Sequence, residues 1–113
     1  MRVVLDTSAI IYLNDFRLFD EIFTVSNVVD EVKDKINTLK LSGLSLKIID
    51  PSESSVKDIK EIAEKTGDLE KLSSTDIKVL ALAKEKSLSI VSDDYNIQNV
   101  AEKLGLEYVS IFN

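Results

Sequence analysis

The sequence predicts an α/β fold, a three-layer sandwich around a central, mainly parallel twisted sheet. Three observations predict it. Short apolar runs rich in β-branched residues recur along the chain, with stretches of helical apolar spacing between them. Strands and helices of these lengths alternate, which is the pattern of parallel strands joined by crossover helices. The 113 residues are 44% hydrophobic with one proline and three glycines, which fits one compact domain over 1–113 without repeat, linker or low-complexity segment.

In chain order, RVVL at 2–5 is a strand that gives way to a helix in DTSAIIYLND, where Ile10, Ile11 and Tyr12 are available for burial. EIFTV at 21–25 is a second strand. SNVVDEVKDKINTL follows as a helix capped by Ser26 or Asn27, with Val28, Val29, Val32, Ile36 and Leu39 as its buried arc. LKIID at 46–50 is extended and ends at Pro51, after which SESSVKDIKEIAEKTG forms a helix closed by Gly67. LSSTDIKVLALAKEKS is the clearest helix, with Leu72, Val79, Leu80 and Ala83 on one stripe. SLSIVS at 87–92 is a strand. YNIQNVAEKLG is an amphipathic helix with Ile97, Val100, Ala101 and Leu104 inward and Gly105 just past its end, and LEYVSIF at 106–112 is the last strand.

Composition removes several chemistries. Neither cysteine nor histidine occurs, so a Ser-His-Asp triad, a Cys-His pair and a His- or Cys-ligated zinc site are all excluded within this chain. What remains is carboxylates, hydroxyls, amides and lysines. The net charge of −6 is the wrong sign for unaided binding to a nucleic-acid backbone, although bound divalent cations reverse the sign locally. No run approaches the ~18 apolar residues of a membrane span, and the N-terminus lacks the h-region of a signal peptide. A soluble, cytoplasmic protein with no membrane partner is expected.

The carboxylates therefore carry the functional question. Asp6 sits where the first strand meets a helix; it is either the N-cap or, if Thr7 or Ser8 caps, a free acid at the strand end. On the second helix Glu31 falls about 110° from the centre of the buried arc, a boundary position, while Asp30 points to water. Asp76 heads the most apolar stripe of the chain, yet Ser73 and Asp76 also have capping-box spacing. Asp93 and Asp94 interrupt a strand end together; one can cap the next helix, which leaves the other over. Sites in parallel α/β sheets lie beyond the carboxyl ends of the strands. If the strands ending at Asp6 and at Asp93 are neighbours, their acids meet, and Asp76 at a helix start can join them. Two like charges 4 Å apart repel by about 4 kcal/mol at an effective dielectric near 20, so such a cluster calls for protons or cations. All-oxygen ligation suits Mg²⁺ or Mn²⁺.

These residues resemble a known family. VVLDTSAII, the acid in VVDEV, TGD shortly before LSSTDIKVLALA, and IVSDDYNIQNVAEKLG, in this order over residues 3 to about 107, are similar to a PIN domain. More narrowly they resemble the archaeal Nob-type endonucleases that mature the 3′ end of small-subunit rRNA. The resemblance implies a PIN-like fold and a metal-dependent endoribonuclease that leaves a 3′-hydroxyl and a 5′-phosphate. It implies a catalytic quartet of Asp6, Glu31, Asp76 and Asp94, with Asp6, Asp76, Asp93 and Asp94 at metal and Thr7, Ser8, Ser92 and Asn99 in support. Its implied partners are precursor small-subunit rRNA and the pre-ribosomal particle, with a homodimer as a further expectation. Nob-type proteins usually continue into a zinc ribbon with four cysteines, which these 113 residues do not contain. An isolated catalytic domain or a short relative is therefore expected.

Two rivals remain at the level of sequence. One is a toxin-type PIN ribonuclease held inactive by a small partner, and the other is a non-catalytic pre-ribosome assembly module. The lysines at 33, 35 and 40 read equally as a solvated helix face or as RNA contacts.

Overall fold

A computed structural model describes residues 1–35 and 39–111. Among these residues five strands form one sheet: β1 (Arg2–Leu5), β2 (Glu21–Thr24), β3 (Leu46–Ile48), β4 (Ser89–Val91) and β5 (Tyr108–Val109), in the order β3-β2-β1-β4-β5. Every pairing is parallel, with Val4 opposite both Phe23 and Ile90. The expected α/β architecture is present, and its sheet is parallel throughout.

The helices are α1 (Thr7–Tyr12), α2 (Ser26–Lys35), α3 (Leu39–Ser42), α4 (Glu53–Thr66), α5 (Ser74–Lys86) and α6 (Tyr95–Lys103), with a 3₁₀ turn at Leu69–Lys71. The chain steps from β1 out to β3, then returns to β4 beside β1. With right-handed crossovers, α1 and α2 cover one face of the sheet while α4, α5 and α6 cover the other. The reversal point lies between β1 and β4. Their side chains are the centre of the core: Val3, Val4, Leu5, Ile90 and Val91 are fully buried.

Local chemistry explains most boundaries. Ser52 caps α4 by accepting from Ser55 N, and Gly67 ends it at φ +77°, where a side chain would be strained. Gly105 follows α6 at φ +72°. The N-terminus of α2 is solved differently from the Ser26 or Asn27 cap that its sequence suggests. Val25, a residue with no capping side chain, accepts from Val28 N and Val29 N, and Asp50 beyond β3 takes both the amide and the hydroxyl of Ser26. A carboxylate 24 residues away thus satisfies the helix start.

Several expectations about burial need correction. Tyr12 is 56% exposed at the end of α1, where Ala9 and Ile10 supply the buried side chains instead. Leu39 lies in α3 and is 73% exposed, so it does not extend the stripe of Val28, Val29 and Val32; Ile36 lies outside the described residues. Helix α5 has no single stripe. Thr75, Ile77 and every residue from Val79 to Ala83 are buried, because α5 is packed between α4, α6 and the sheet. Leu72 belongs to the turn before it. The last strand is shorter than 106–112: after Val109 the amide of Ile111 donates to Asp93 (2.8 Å) rather than to a neighbouring strand, and Phe112 lies outside the described residues.

Candidate active site

The carboxyl ends of β1 and β4 open into a cavity of about 550 Å³ lined by Asp6, Glu31, Asp76, Asp93 and Asp94, with Thr7, Ser8 and Thr75 among them. Seven of the nine residues singled out from sequence are on this lining: the five acids, Thr7 and Ser8. The register Leu5 with Val91 brings the two strand ends side by side. It sets Asp6 next to Ser92, and the Ser92 hydroxyl donates to Asp6 Oδ2 from a fully buried position.

Asp6 is the N-cap of α1, so the free-acid alternative does not hold. Its Oδ1 accepts from Ala9 N and Ser8 Oγ, both at 2.8 Å. Burial raises its pKa, against the lowering effect of the Ser92, Ala9 and Ser8 hydrogen bonds, and the charge of Asp94 raises it further. Asp76 behaves alike. It completes the capping box, accepting from Ser73 N (2.8 Å) while its own amide donates to Ser73 Oγ (3.1 Å). Partial burial raises its pKa first, Ser73 pulls it down, and the charges of Asp94 and Glu31 raise it. Capping and clustering are thus not alternatives. A carboxylate has two oxygens and about four lone-pair sites, so one oxygen can hold a helix start while the other faces the cavity.

The cap in the adjacent pair is Asp94 and not Asp93. Asp94 caps α6, with Oδ1 accepting from Asn96 N (2.8 Å) and Ile97 N (3.4 Å). Asp93 holds the chain after β5 through Ile111 N. The Ser92 hydroxyl, besides donating to Asp6, accepts from Asp94 N at 3.0 Å and so fixes the two acids relative to each other.

Glu31 reaches the cavity from α2, and its boundary position is confirmed by half-burial. Thr7 Oγ1 donates to Oε2, and Thr75 Oγ1 donates to Oε1 at 3.0 Å. Thr75 was not singled out from sequence, although it is a buried hydroxyl immediately before Asp76. Lys35 also lines the cavity, whereas Lys33 is exposed and Lys40 donates to the Ile11 carbonyl.

Asn99 lies elsewhere. It donates to Asp68 Oδ1 at 3.2 Å, while Thr66 and Lys103 donate to Asp68 Oδ2 at 2.6 and 2.8 Å. The Lys103 ammonium, helped by Thr66, holds the buried Asp68 carboxyl below its usual range. TGD is therefore a tie between the end of α4 and α6, and Asn99 belongs to that tie.

The donor set is oxygen only, which fits a hard divalent cation. Asp76 Oδ1, Asp94 Oδ2 and Asp93 Oδ2 have no hydrogen-bond partner among the described residues. No three acids among the described residues converge closely enough to clasp one ion. An ion there would complete its shell with water, as Mg²⁺ commonly does when one or two carboxylates hold it.

Residues 3–85 match the family model described as the PIN domain of ribonuclease. The chain is 42% identical over 112 residues to Endoribonuclease Nob1 of Pyrococcus abyssi, covering 96% of this chain and 67% of that protein. It is 40% identical over 112 residues to Ribonuclease VapC1 of Thermoplasma acidophilum, covering 97% of this chain and 58% of that protein. Among solved structures, PAE2754 from Pyrobaculum aerophilum superposes with a TM-score of 0.70 at 12% identity, covering 98% of this chain and 91% of that one, a likeness of fold alone.

Proposed function

The chain belongs to the PIN-domain family of ribonucleases, and from that premise we propose that it is a cytoplasmic endoribonuclease dependent on Mg²⁺ or Mn²⁺ that processes the 3′ end of precursor small-subunit rRNA. The observation that carries the proposal is the meeting of Asp6, Glu31, Asp76 and Asp94 in one cavity at the point where strand order reverses. PIN nucleases generally use divalent metal ions. The rRNA substrate is supported by the likeness to archaeal endoribonucleases over nearly the whole chain.

Asp76 and Asp94 would hold a cation through the oxygens that capping leaves over, with Asp93 beside them. A bound cation supplies a water of lowered pKa and neutralises charge at the phosphate. Asp6 is held in place by Ser92, Ser8 and the α1 amide, so its carboxylate orients the attacking water without a rotamer search. Glu31, clamped by Thr7 and Thr75, supplies the fourth negative wall of the site. In the overall hydrolysis the water oxygen bonds to phosphorus, the bond from phosphorus to O3′ breaks, and a proton ends on O3′.

Cleavage of an RNA spanning the small-subunit rRNA 3′ end, with Mn²⁺ or Mg²⁺ present, tests this against Asp6→Asn and Asp94→Asn. A wild type that cuts no faster than either variant would defeat the proposal. The likeness to Ribonuclease VapC1 favours one second reading, a toxin-type ribonuclease. Recovery of the chain with a small protein that blocks cleavage, and a preference for transfer or messenger RNA over rRNA, would select it.

A further inference from the structure

Two aromatic side chains stand in unusual places. Tyr95 is 74% exposed, immediately after Asp94 at the first position of α6, and its hydroxyl has no partner among the described residues. Tyr12 is 56% exposed and lines the acidic cavity itself, at the end of α1. The helices that carry them begin from the carboxyl ends of β1 and β4, the two strands that bring the acids together. Neither ring contributes to the core. The cavity poses a problem that such rings solve. Among the described residues five acids line it against one cation, Lys35, in a chain of net charge −6, so a polyanion gains little there from counterion release by the protein's own side chains. A bound divalent cation draws in the phosphate at the site, and a grip on the neighbouring nucleotides is best supplied by a term that does not depend on charge.

We propose that Tyr95 and Tyr12 are base-stacking platforms that hold two unpaired nucleobases of single-stranded RNA beside the scissile phosphate. The inference rests on the ribonuclease proposal and adds to it the residues that grip the bases on either side of the cut. Stacking of a base on an aromatic ring is indifferent to base identity, because every base has a π face. In a duplex those faces are covered by neighbouring base pairs, so the site selects unpaired RNA.

The test is steady-state cleavage, with Mn²⁺, of a short single-stranded RNA and of a series carrying one abasic position at a time. Because Tyr95 is mostly exposed and outside the core, Tyr95→Ala should fold as wild type, which circular dichroism checks. The expected result is a KM raised by about tenfold with kcat little changed, and retention of wild-type KM by Tyr95→Phe. One abasic RNA should raise the wild-type KM to the level of Tyr95→Ala and show no further effect of that substitution. Tyr12→Ala should behave likewise toward a different abasic position. A wild-type KM for Tyr95→Ala, or an effect undiminished on every abasic RNA, overturns the stacking role and leaves the ribonuclease intact. A wild type that cleaves none of the RNAs overturns both.

Discussion

Asp6 shows how one residue serves structure and chemistry together. It is a helix cap, which any aspartate can be, but it is also buried, with its pKa raised first by that burial. The sign of the consequence follows from linkage. The raised folded pKa means the native state binds more protons than the unfolded chain once the pH exceeds about 3.9, the ordinary aspartate value. Stability from this group is complete below that value and is lost as the pH rises through the folded pKa. Asp6→Asn removes the charge and keeps a good N-cap. Without divalent cations its stability relative to wild type should rise from low pH toward neutrality, offset at every pH by the Ser92 hydrogen bond that the amide nitrogen cannot accept, while RNA cleavage disappears. Urea unfolding of both proteins across pH checks this. Glu31→Gln is a contrasting case, because an amide nitrogen cannot accept from Thr7 or Thr75. Loss of one of those two bonds should cost about 1 kcal/mol in the same assay, together with a fall in activity.

At the scale of the element, the capping motifs are the link between sequence and site. Ser73 orders the first turn of α5 and accepts the Asp76 amide, so Ser73→Ala should cost about 1 kcal/mol and loosen the Asp76 carboxylate. A weaker affinity for Mn²⁺, measured by calorimetry, is the expected second effect. Much of this was legible in the chain itself. Ser52, Gly67, the Ser73 and Asp76 box, and Gly105 announce their helix ends with local chemistry. Contacts distant in sequence were not legible in the same way. The support of α2 by Asp50 depends on β3 lying beside β2, and the role of Thr75 depends on the start of α5 facing Glu31 of α2 across the cavity beyond the strands' carboxyl ends. Spacing placed Glu31 only at a boundary; the family resemblance gave it a role, and the two threonines show how it is held. Asn99 was the converse case. The resemblance placed it in support of the site, and among the described residues it donates to Asp68, in a tie that the lone motif TGD could not reveal.

The whole molecule converts strand order into a charge problem. A sheet that runs outward from β1 and then returns to β4 opens a crevice at the reversal, and acids from β1, β4, α2 and α5 gather in it. Sequence alone predicted the meeting only on condition that the strands ending at Asp6 and Asp93 were neighbours, and the β1–β4 register meets that condition. Beyond the effect of burial, the charge of Asp94 raises the pKa of Asp6 and of Asp76 within the crevice, and on the proposed function a bound divalent ion would relieve that repulsion. Thermal unfolding should therefore shift upward with Mn²⁺, and a shift of the free energy by RT ln(1 + [L]/Kd) gives the affinity. That shift should be absent in Asp94→Asn, whereas a set of helix caps with no ion site would show none in either protein.

The most direct measurement is cleavage of RNA spanning the small-subunit rRNA 3′ end in the presence of Mn²⁺ or Mg²⁺, comparing wild type with Asp6→Asn and Asp94→Asn and repeating each with EDTA. The acidic site predicts endonucleolytic cutting by wild type, its loss in EDTA, and rates lower by at least about 100-fold in both variants. Equal cutting by wild type and variants, or cutting undiminished in EDTA, would contradict a metal-dependent nuclease at this site.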